Sequence, residues 1–240
     1  MKVKDLVYAV GDPVLTKFLS PPYGGRPHYT NHGPRTARRV ALTFDDGPCR
    51  GSTELLLDAL AELDVPGTFF CVGENVNMNP DIVERIEREG HVVGSHSQRH
   101  SRGAGLSFGD VEHIESAERS ISDVLGRRPA LYRPPWGWLT PWEGRRLKSR
   151  GYTIVGWDVY TLDWQIPEPD AQTVADHAVA DTRPGSVYCF HDAYPLVAEW
   201  DKSVTVDAVR RLVPTIRSLG YEFVTVDALL GVNAYRPAAA

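Results

Sequence analysis

The chain has 240 residues, with 26 Lys and Arg against 31 Asp and Glu, for a formal net charge of −5. At 42% apolar and 24% charged it lies near the globular average, which excludes a disordered chain, and its mild acidity excludes a nucleic-acid binder relying on bulk positive charge. The length suits one large domain, two small ones or a single α/β barrel, and is enough to bury a core without covalent staples.

Three cysteines, Cys49, Cys71 and Cys189, with no CxxC pair, argue against a disulfide framework and against a zinc site built from local cysteines. Cys71 and Cys189 lie in apolar runs and read as small buried hydrophobes; Cys49 reads as an inert turn residue. No apolar run approaches the roughly 18 residues of a membrane span. Asp5, Gly11, Asp12 and Pro13 interrupt the N-terminal stretch, and no leader-type cleavage site follows. The sequence as it stands therefore reads as cytoplasmic, or as secreted if an export signal has been trimmed.

In chain order, residues 1–37 read as an extension packed on the main domain: a short amphipathic stretch, then the Pro- and Gly-rich loop SPPYGGRPHYTNHGPRT. The catalytic domain is expected over 38–240. There, short β-branched or aromatic runs alternate with helix-period stretches. The predicted strands are 39–44, 67–72, 91–94, 130–134, 152–157, 186–190 and 222–226. The predicted helices are 52–64, 79–90, 107–126, 141–151, 170–182 and 203–220. Asn79-Pro80 predicts an N-cap followed by Pro at the first helical position, and Ser107 a second N-cap. Gly90, Gly151 and Gly220 read as helix stops. Repeated strand–helix units imply a parallel sheet, and the seven strands fit an α/β barrel better than an open sheet.

Parallel α/β sheets place their chemistry at the C-terminal strand ends. Ionisable residues cluster there: Asp45-Asp46, His96 and His100, Arg133, Asp158 and Asp163, and His191-Asp192. In TFDDGP, one of two adjacent carboxylates can hold a metal while the other accepts a proton; a solvated acidic turn is the plain alternative. HSQRH puts two histidines four apart, on one face of a helical turn, and with an Asp from a neighbouring strand they make a facial His-His-Asp set. Such a set leaves positions for water and substrate, with zinc the default and iron(II), cobalt or nickel also fitting. Arg133, in RPPWG, can hold Asp45 ionised. Asp163 can orient His191 as a proton donor. Trp164 is a candidate sugar platform or a core residue. The other five histidines, His28, His32, His91, His113 and His177, fit no constellation.

Taken together, TFDDGP, HSQRH, RPPWG, DVYTLDW and FHD, in this order and spacing, resemble the NodB-like polysaccharide deacetylases of carbohydrate esterase family four, over roughly residues 38–230. The resemblance implies a distorted (β/α) barrel with seven strands and one divalent metal, Zn2+ first, with Co2+ or Ni2+ as alternatives. It implies that Asp46, His96 and His100 bind the metal. Asp45 would be the general base, held by Arg133, and His191 the general acid, oriented by Asp163. The Trp136 backbone N–H would help stabilise the oxyanion, and Pro134, Trp136, Gly137, Tyr160 and Trp164 would face a carbohydrate substrate. The activity implied is removal of the N-acetyl group from an amino sugar in a chito-oligosaccharide, a peptidoglycan-type glycan or a small glycoside. A metal-dependent amidase acting on a non-sugar amide and an inactive carbohydrate-binding relative are the alternatives. Trp136 stands where the family usually has Tyr, Cys189-Phe190 where it has two leucines, and Tyr160-Thr161 where Asp and Ser are frequent. These departures alter the pocket wall, not the metal or acid–base set. WGWLTPW (136–142) reads equally as a substrate rim and as packing under the N-terminal extension.

Overall fold

A computed structural model describes residues 28–101, 111–165, 169–197 and 201–237. Most of the extension, residues 1–27, and the expected Ser107 cap lie outside the described residues.

All seven predicted strands are present in a curled parallel sheet: β2 (Arg39–Asp45), β3 (Gly67–Cys71), β4 (Val92–Ser95), β6 (Leu131–Tyr132), β7 (Thr153–Val155), β9 (Val187–His191) and β10 (Glu222–Phe223). Four further strands are present, two in this sheet and two in a separate ribbon. β1 (Tyr29–Thr30), inside the expected loop, pairs in parallel with β7. β8 (Val159–Tyr160) pairs with β9, and β5 (Arg127–Pro129) pairs antiparallel with β11 (Tyr235–Pro237). β7 pairs with β6 and β8 with β9, with only residues 156–158 between them. The pairing order is β1-β7-β6-β4-β3-β2-β9-β8, so one bent run carries the chain from one arm of the curl to the other, and among the described residues no strand pairing closes the barrel.

The strands are near-continuous apolar runs because both faces are covered. On the outer face Leu42, Phe44, Phe69, Tyr188 and Phe190 pack against helices α1 (Ser52–Leu63), α3 (Pro80–Arg88), α6 (Ala171–Asp181) and α7 (Ser203–Ser218). On the inner face Ala41, Phe70, Val155, Val187 and Cys189 form a second cluster. It is plugged by Val226 and Leu229 of α8 (Val226–Leu230), a short helix that begins where the last predicted strand was expected to end. The remaining helices are α2 (Gly73–Met78), α4 (Val111–Leu125) and α5 (Pro141–Ser149). Gly151 and Gly220 stop α5 and α7 as expected, each at φ 81°, a conformation costly for a residue with a Cβ. Asn79 precedes Pro80 as predicted, but its side chain does not cap α3. It donates instead to the carbonyls of Asn75 (3.2 Å) and Pro48 (3.3 Å), tying α2 to the turn after β2.

Among the described residues no helix is long and apolar enough to cross a membrane.

Candidate active site

The site is assembled by strand register. β2 and β9 are parallel neighbours in which Thr43 pairs with Cys189 and Asp45 with His191. Register partners in a parallel sheet point to the same face, and residues two apart along a strand do so too. Thr43, Asp45, Cys189 and His191 therefore line one side of the barrel mouth, while Phe44 and Phe190 between them face the helices.

Asp46 leaves the strand at φ 82° and so escapes the alternation that would turn it toward the helices. The turn behind it is tied down. Asn75 Nδ2 donates to the Asp46 carbonyl at 2.7 Å, and Val72 N to that of Gly47 at 2.9 Å. Gly47 N donates to Asp192 Oδ1 at 3.1 Å, and Thr53 Oγ1 donates to Asp192 Oδ2 at 2.5 Å. A Cβ on Gly47 would lie 2.1 Å from that carboxylate, so no larger residue fits. Burial pushes the Asp192 carboxyl up to about 7; the Thr53 bond opposes this and the charge of Asp46 adds to it.

Asp46, His96 and His100 converge. Asp46 Oδ1 lies 3.4 Å from His96 Nε2 and 3.2 Å from His100 Nε2. That carboxylate oxygen is buried and has no hydrogen-bond partner. A buried acceptor facing two imidazole nitrogens without a donor is an anomaly for a metal-free protein and the expected arrangement for a divalent cation. The protonation states agree. Burial drives His100 down to about 4, more strongly than Asp46 opposes it. Asp46 is held near 2, burial being outweighed by the histidines around it. A carboxylate and a neutral imidazole are ligand forms. His96 Nδ1–H donates to the Arg133 carbonyl at 2.7 Å, which aims its Nε2 at the site, a second-shell arrangement typical of metal-binding histidines.

The expected helical turn at HSQRH is not what brings the histidines together. Residues 96–100 form a bend with Ser97 at φ 66° and His100 at φ 49°. It is pinned to α2 because Gly73 N and Glu74 N donate to the carbonyls of Ser97 and Gln98 at 3.0 Å each. The start of α2 takes up these carbonyls, so the segment never propagates a helix of its own.

Arg133 is fully buried, and each of its bonds has a purpose. Nη1 donates to Asp45 Oδ1 at 2.6 Å and to Thr43 Oγ1 at 2.7 Å; Nη2 donates to the Gly156 carbonyl at 2.9 Å. The guanidinium also lies 4.2 Å from the Phe70 ring centre and 5.4 Å from that of Trp157. Asp45 thereby keeps one oxygen bound to Arg133 and turns Oδ2 toward the mouth, 4.0 Å from His96 Nε2.

His191 Nδ1 bonds Asp163 Oδ1 at 3.0 Å, and its backbone N–H donates to Oδ2 at 2.8 Å. Thr161 Oγ1 and Thr205 Oγ1 donate to the same carboxylate at 2.7 and 2.9 Å, while Lys202 Nζ donates to the Asp163 carbonyl at 2.7 Å. Asp163 is held far below the usual carboxylate range: burial alone would raise it, but the charges of His191 and Lys202 and these bonds prevail. Burial would lower His191, yet the Asp163 charge and hydrogen bond, with Asp46 and Asp45 beyond, hold it up at about 9. The group is an imidazolium at neutral pH with Nε2 left for the mouth.

The residues expected to face substrate fall in two groups, the 134–137 segment beside His100 and the pair Tyr160 and Trp164. The Trp136 ring packs 4.2 Å from His100, centroid to centroid, so it braces a histidine of the Asp–His–His cluster. Pro134 is buried, and the Gly137 carbonyl accepts Tyr29 Oη at 2.6 Å. Tyr160 and Trp164 form an aromatic group with Trp157 beside β8. In WGWLTPW, Trp138 is buried and Trp142 exposed, so the segment is part packing and part surface. Cys71 and Cys189 are buried as expected, and the turn residue Cys49 is buried too; Cys189 also reaches the site, its Sγ 3.6 Å from Asp45 Oδ2. Sequence reasoning missed Thr43, Thr205, Lys202 and Asn75, and read Thr161 as pocket wall where it supports Asp163. They are neutral or generic residues scattered along the chain, and only the fold gathers them.

Residues 32–155 match the family profile "Polysaccharide deacetylase". The chain belongs to this family. A peptidoglycan-N-acetylglucosamine deacetylase of Bacillus cereus (strain ATCC 14579) is 32% identical over 209 residues, spanning 87% of this chain and 74% of its own. The peptidoglycan-N-acetylmuramic acid deacetylase PdaA of Bacillus subtilis (strain 168) is 30% identical over 80% of this chain and 72% of its own. Among solved structures, the Bc1960 peptidoglycan N-acetylglucosamine deacetylase, crystallised with an aryl N-hydroxybenzamide, superposes with a TM-score of 0.81 at 32% identity, covering 87% of this chain and 95% of that one. The family resemblance and the barrel architecture expected from the sequence are both borne out. The protein is a carbohydrate N-deacetylase by family, a hydrolase of acetamide bonds. The family is metal-dependent, and Asp46, His96 and His100 fit a divalent ion.

Proposed function

We propose that the protein removes acetyl groups from N-acetylglucosamine or N-acetylmuramic acid units of peptidoglycan-type glycans, with zinc as its metal, Asp45 as general base and His191 as general acid. The observation that carries this reading is the cross-strand pair Asp45–His191, set beside the Asp46–His96–His100 cluster. When bound, the metal supplies Lewis acidity, polarising the acetamide carbonyl and lowering the pKa of water. Asp45 Oδ2 accepts the proton of the attacking water; Arg133 on Oδ1 keeps the carboxylate fixed while it does so. His191 gives its proton to the departing sugar nitrogen, and Asp163 keeps the Nδ1 side occupied, so that only Nε2 can deliver it. The RPPWG backbone at Trp136 is assigned to the oxyanion. Pro134, Gly137, Tyr160 and Trp164 are assigned to the substrate side of the mouth.

Residues 38–240 form the catalytic unit in this reading, and residues 1–37 an extension against it. The β1–β7 pairing and the Tyr29–Gly137 bond support that contact. A peptidoglycan substrate also places the enzyme at the cell wall and not in the cytoplasm.

The test is acetate release by the full chain, metal-free and reloaded with zinc or cobalt. The substrates are chito-oligosaccharides, purified peptidoglycan and a monomeric N-acetylglucosaminide. Metal-dependent release from the glycans is expected. Release from the monomer alone moves the reading to a small cytoplasmic substrate. No release from any of the three, with metal bound, overturns it.

A further inference from the structure

We propose that Asp45, Cys189 and His191 form a second site, for a soft divalent cation such as zinc or cadmium, and that filling it shuts the enzyme down. Among the described residues two sets of three side chains have ligand atoms all within 4.8 Å of one another: Asp46–His96–His100, and this one.

The geometry fits the ion. Two ligands on a tetrahedral zinc, with Zn–S about 2.3 Å and Zn–O about 2.0 Å, lie roughly 3.5 Å apart. Cys189 Sγ and Asp45 Oδ2 are 3.6 Å apart already, so an ion can bridge them with little movement. The register places His191 on the same face, directly across from Asp45 and two residues above Cys189. Its Nδ1 is committed to Asp163, which leaves Nε2 as the third donor. Asp45 can join without losing Arg133, because Oδ1 holds the guanidinium and Oδ2 faces the thiol. A thiolate with one imidazole and one carboxylate selects zinc or cadmium over magnesium or calcium.

The balance of protons sets the affinity. An ion bound here takes the place of the protons on Cys189 Sγ and His191 Nε2, while Nδ1 stays with Asp163. Binding therefore forms bonds to sulfur and nitrogen and releases two protons to solvent. A cation already on Asp46 repels the newcomer. The second site is accordingly weaker than the first and fills only when metal is in excess. Once filled, it occupies Asp45 Oδ2 and His191 Nε2 together. The inhibitory half of the proposal rests on the base-and-acid reading above; the binding half does not.

The experiment is a titration of the metal-free full chain with cobalt(II), read by near-ultraviolet thiolate-to-cobalt absorption and bound-metal stoichiometry. In parallel, acetate release is measured from one to many equivalents of zinc. Wild type is expected to bind two equivalents, the second bringing the absorption band. Cys189→Val and Cys189→Ser should each bind one tight equivalent without the band, which also shows that they fold, and Cys49→Ala should keep it. Acetate release should rise to one equivalent of zinc and fall beyond it. The Cys189 variants, each referred to its own maximum, should need at least about tenfold more zinc for the same loss. A missing band in wild type, or one that survives in both Cys189 variants, overturns the site. A Cys189-dependent second equivalent that leaves activity untouched overturns the inhibition. A Cys189-dependent second equivalent in an enzyme that deacetylates nothing at any zinc level supports the site and sinks the functional reading instead.

Discussion

Replacing Asp163 with Asn isolates what the carboxylate does for His191. In the wild type His191 is held at about 9 against an ordinary 6.5, because the charge and bond of Asp163 outweigh a burial that would lower it. That gap corresponds to about 3 kcal/mol favouring the imidazolium. Asn removes the charge and leaves the burial, so the pKa falls to 6.5 or below. The raised group is protonated below its folded pKa and loses its proton above it, so the acid function is lost on the alkaline side. At pH 7.5 about 97% of wild-type His191 carries its proton, against about 9% or less in the variant, a roughly tenfold loss. At pH 5.5 the wild type is almost fully protonated and the variant at most about 90% so, so the share of the deficit due to lost charge shrinks as the pH falls, and the part that no longer changes with pH measures lost orientation. A cation on Asp46 repels the imidazolium, which makes 9 an upper bound for the alkaline limb of the loaded enzyme. The assay is kcat/KM for acetate release from pH 5.5 to 9, each protein loaded with one equivalent of zinc. The variant-to-wild-type ratio cancels every titration the two share. A ratio that stays flat across this range refutes the assignment of His191 as the acid tuned by Asp163.

Arg133→Ala leaves Asp45 buried beside an empty space, and chemical denaturation should show a loss of about 3–5 kcal/mol. Zinc should raise the thermal midpoint of wild type, by about 2.7 kcal/mol of added stability at a hundredfold excess over Kd, but not that of Asp46→Ala at the same concentration. Thr161→Val removes a hydroxyl that serves Asp163 and the Cys189 carbonyl. It should cost about 1–3 kcal/mol and shift the alkaline limb in the same direction as Asp163→Asn, but less. Gly47→Ala should fail to accumulate as folded protein, as judged by soluble yield and circular dichroism, because its Cβ meets the Asp192 carboxylate.

The barrel was legible because its strands and helices carry different periods, and because Pro80, Gly151 and Gly220 mark helix boundaries. The chemical groups were legible because charged residues at strand ends are rare without a purpose. The means of support were not. Tyr29 and Thr30 form a strand only because β7 offers them an edge, and nothing in PHYTNHG carries a strand period. HSQRH has the spacing of a helical turn, and local sequence does not reveal that α2 will take up its carbonyls. Cys189 was legible as a buried residue, and it does belong to the inner cluster, but its contact with Asp45 was not. Strand alternation settles the matter: Phe190 faces the helices, so Cys189 faces the barrel, and Asp45 is its diagonal neighbour.

The same alternation explains how two adjacent carboxylates acquire different tasks. Were residues 45 and 46 both in strand geometry, one would point into the mouth and the other into the helix layer, where a buried carboxylate without partners is costly. The left-handed backbone at Asp46 returns its side chain to the mouth, and the turn bonds from Asn75 and to Asp192 hold it there. Asp45, still in the strand, keeps the register that sets it opposite His191 and beside Arg133. Division of labour in the Asp-Asp pair thus follows from one backbone torsion. It predicts that exchanging roles by mutation will fail: a histidine at 45 starts from the strand, beside His96, and not from the left-handed turn from which Asp46 meets His96 and His100 together. Asp45→His combined with Asp46→Asn, made together with Cys189→Val so that the thiolate site cannot take up the ion, should therefore bind no tight equivalent of cobalt, where a site set by composition alone would bind one. Retention of that equivalent would show that the backbone at Asp46 is not what places the metal.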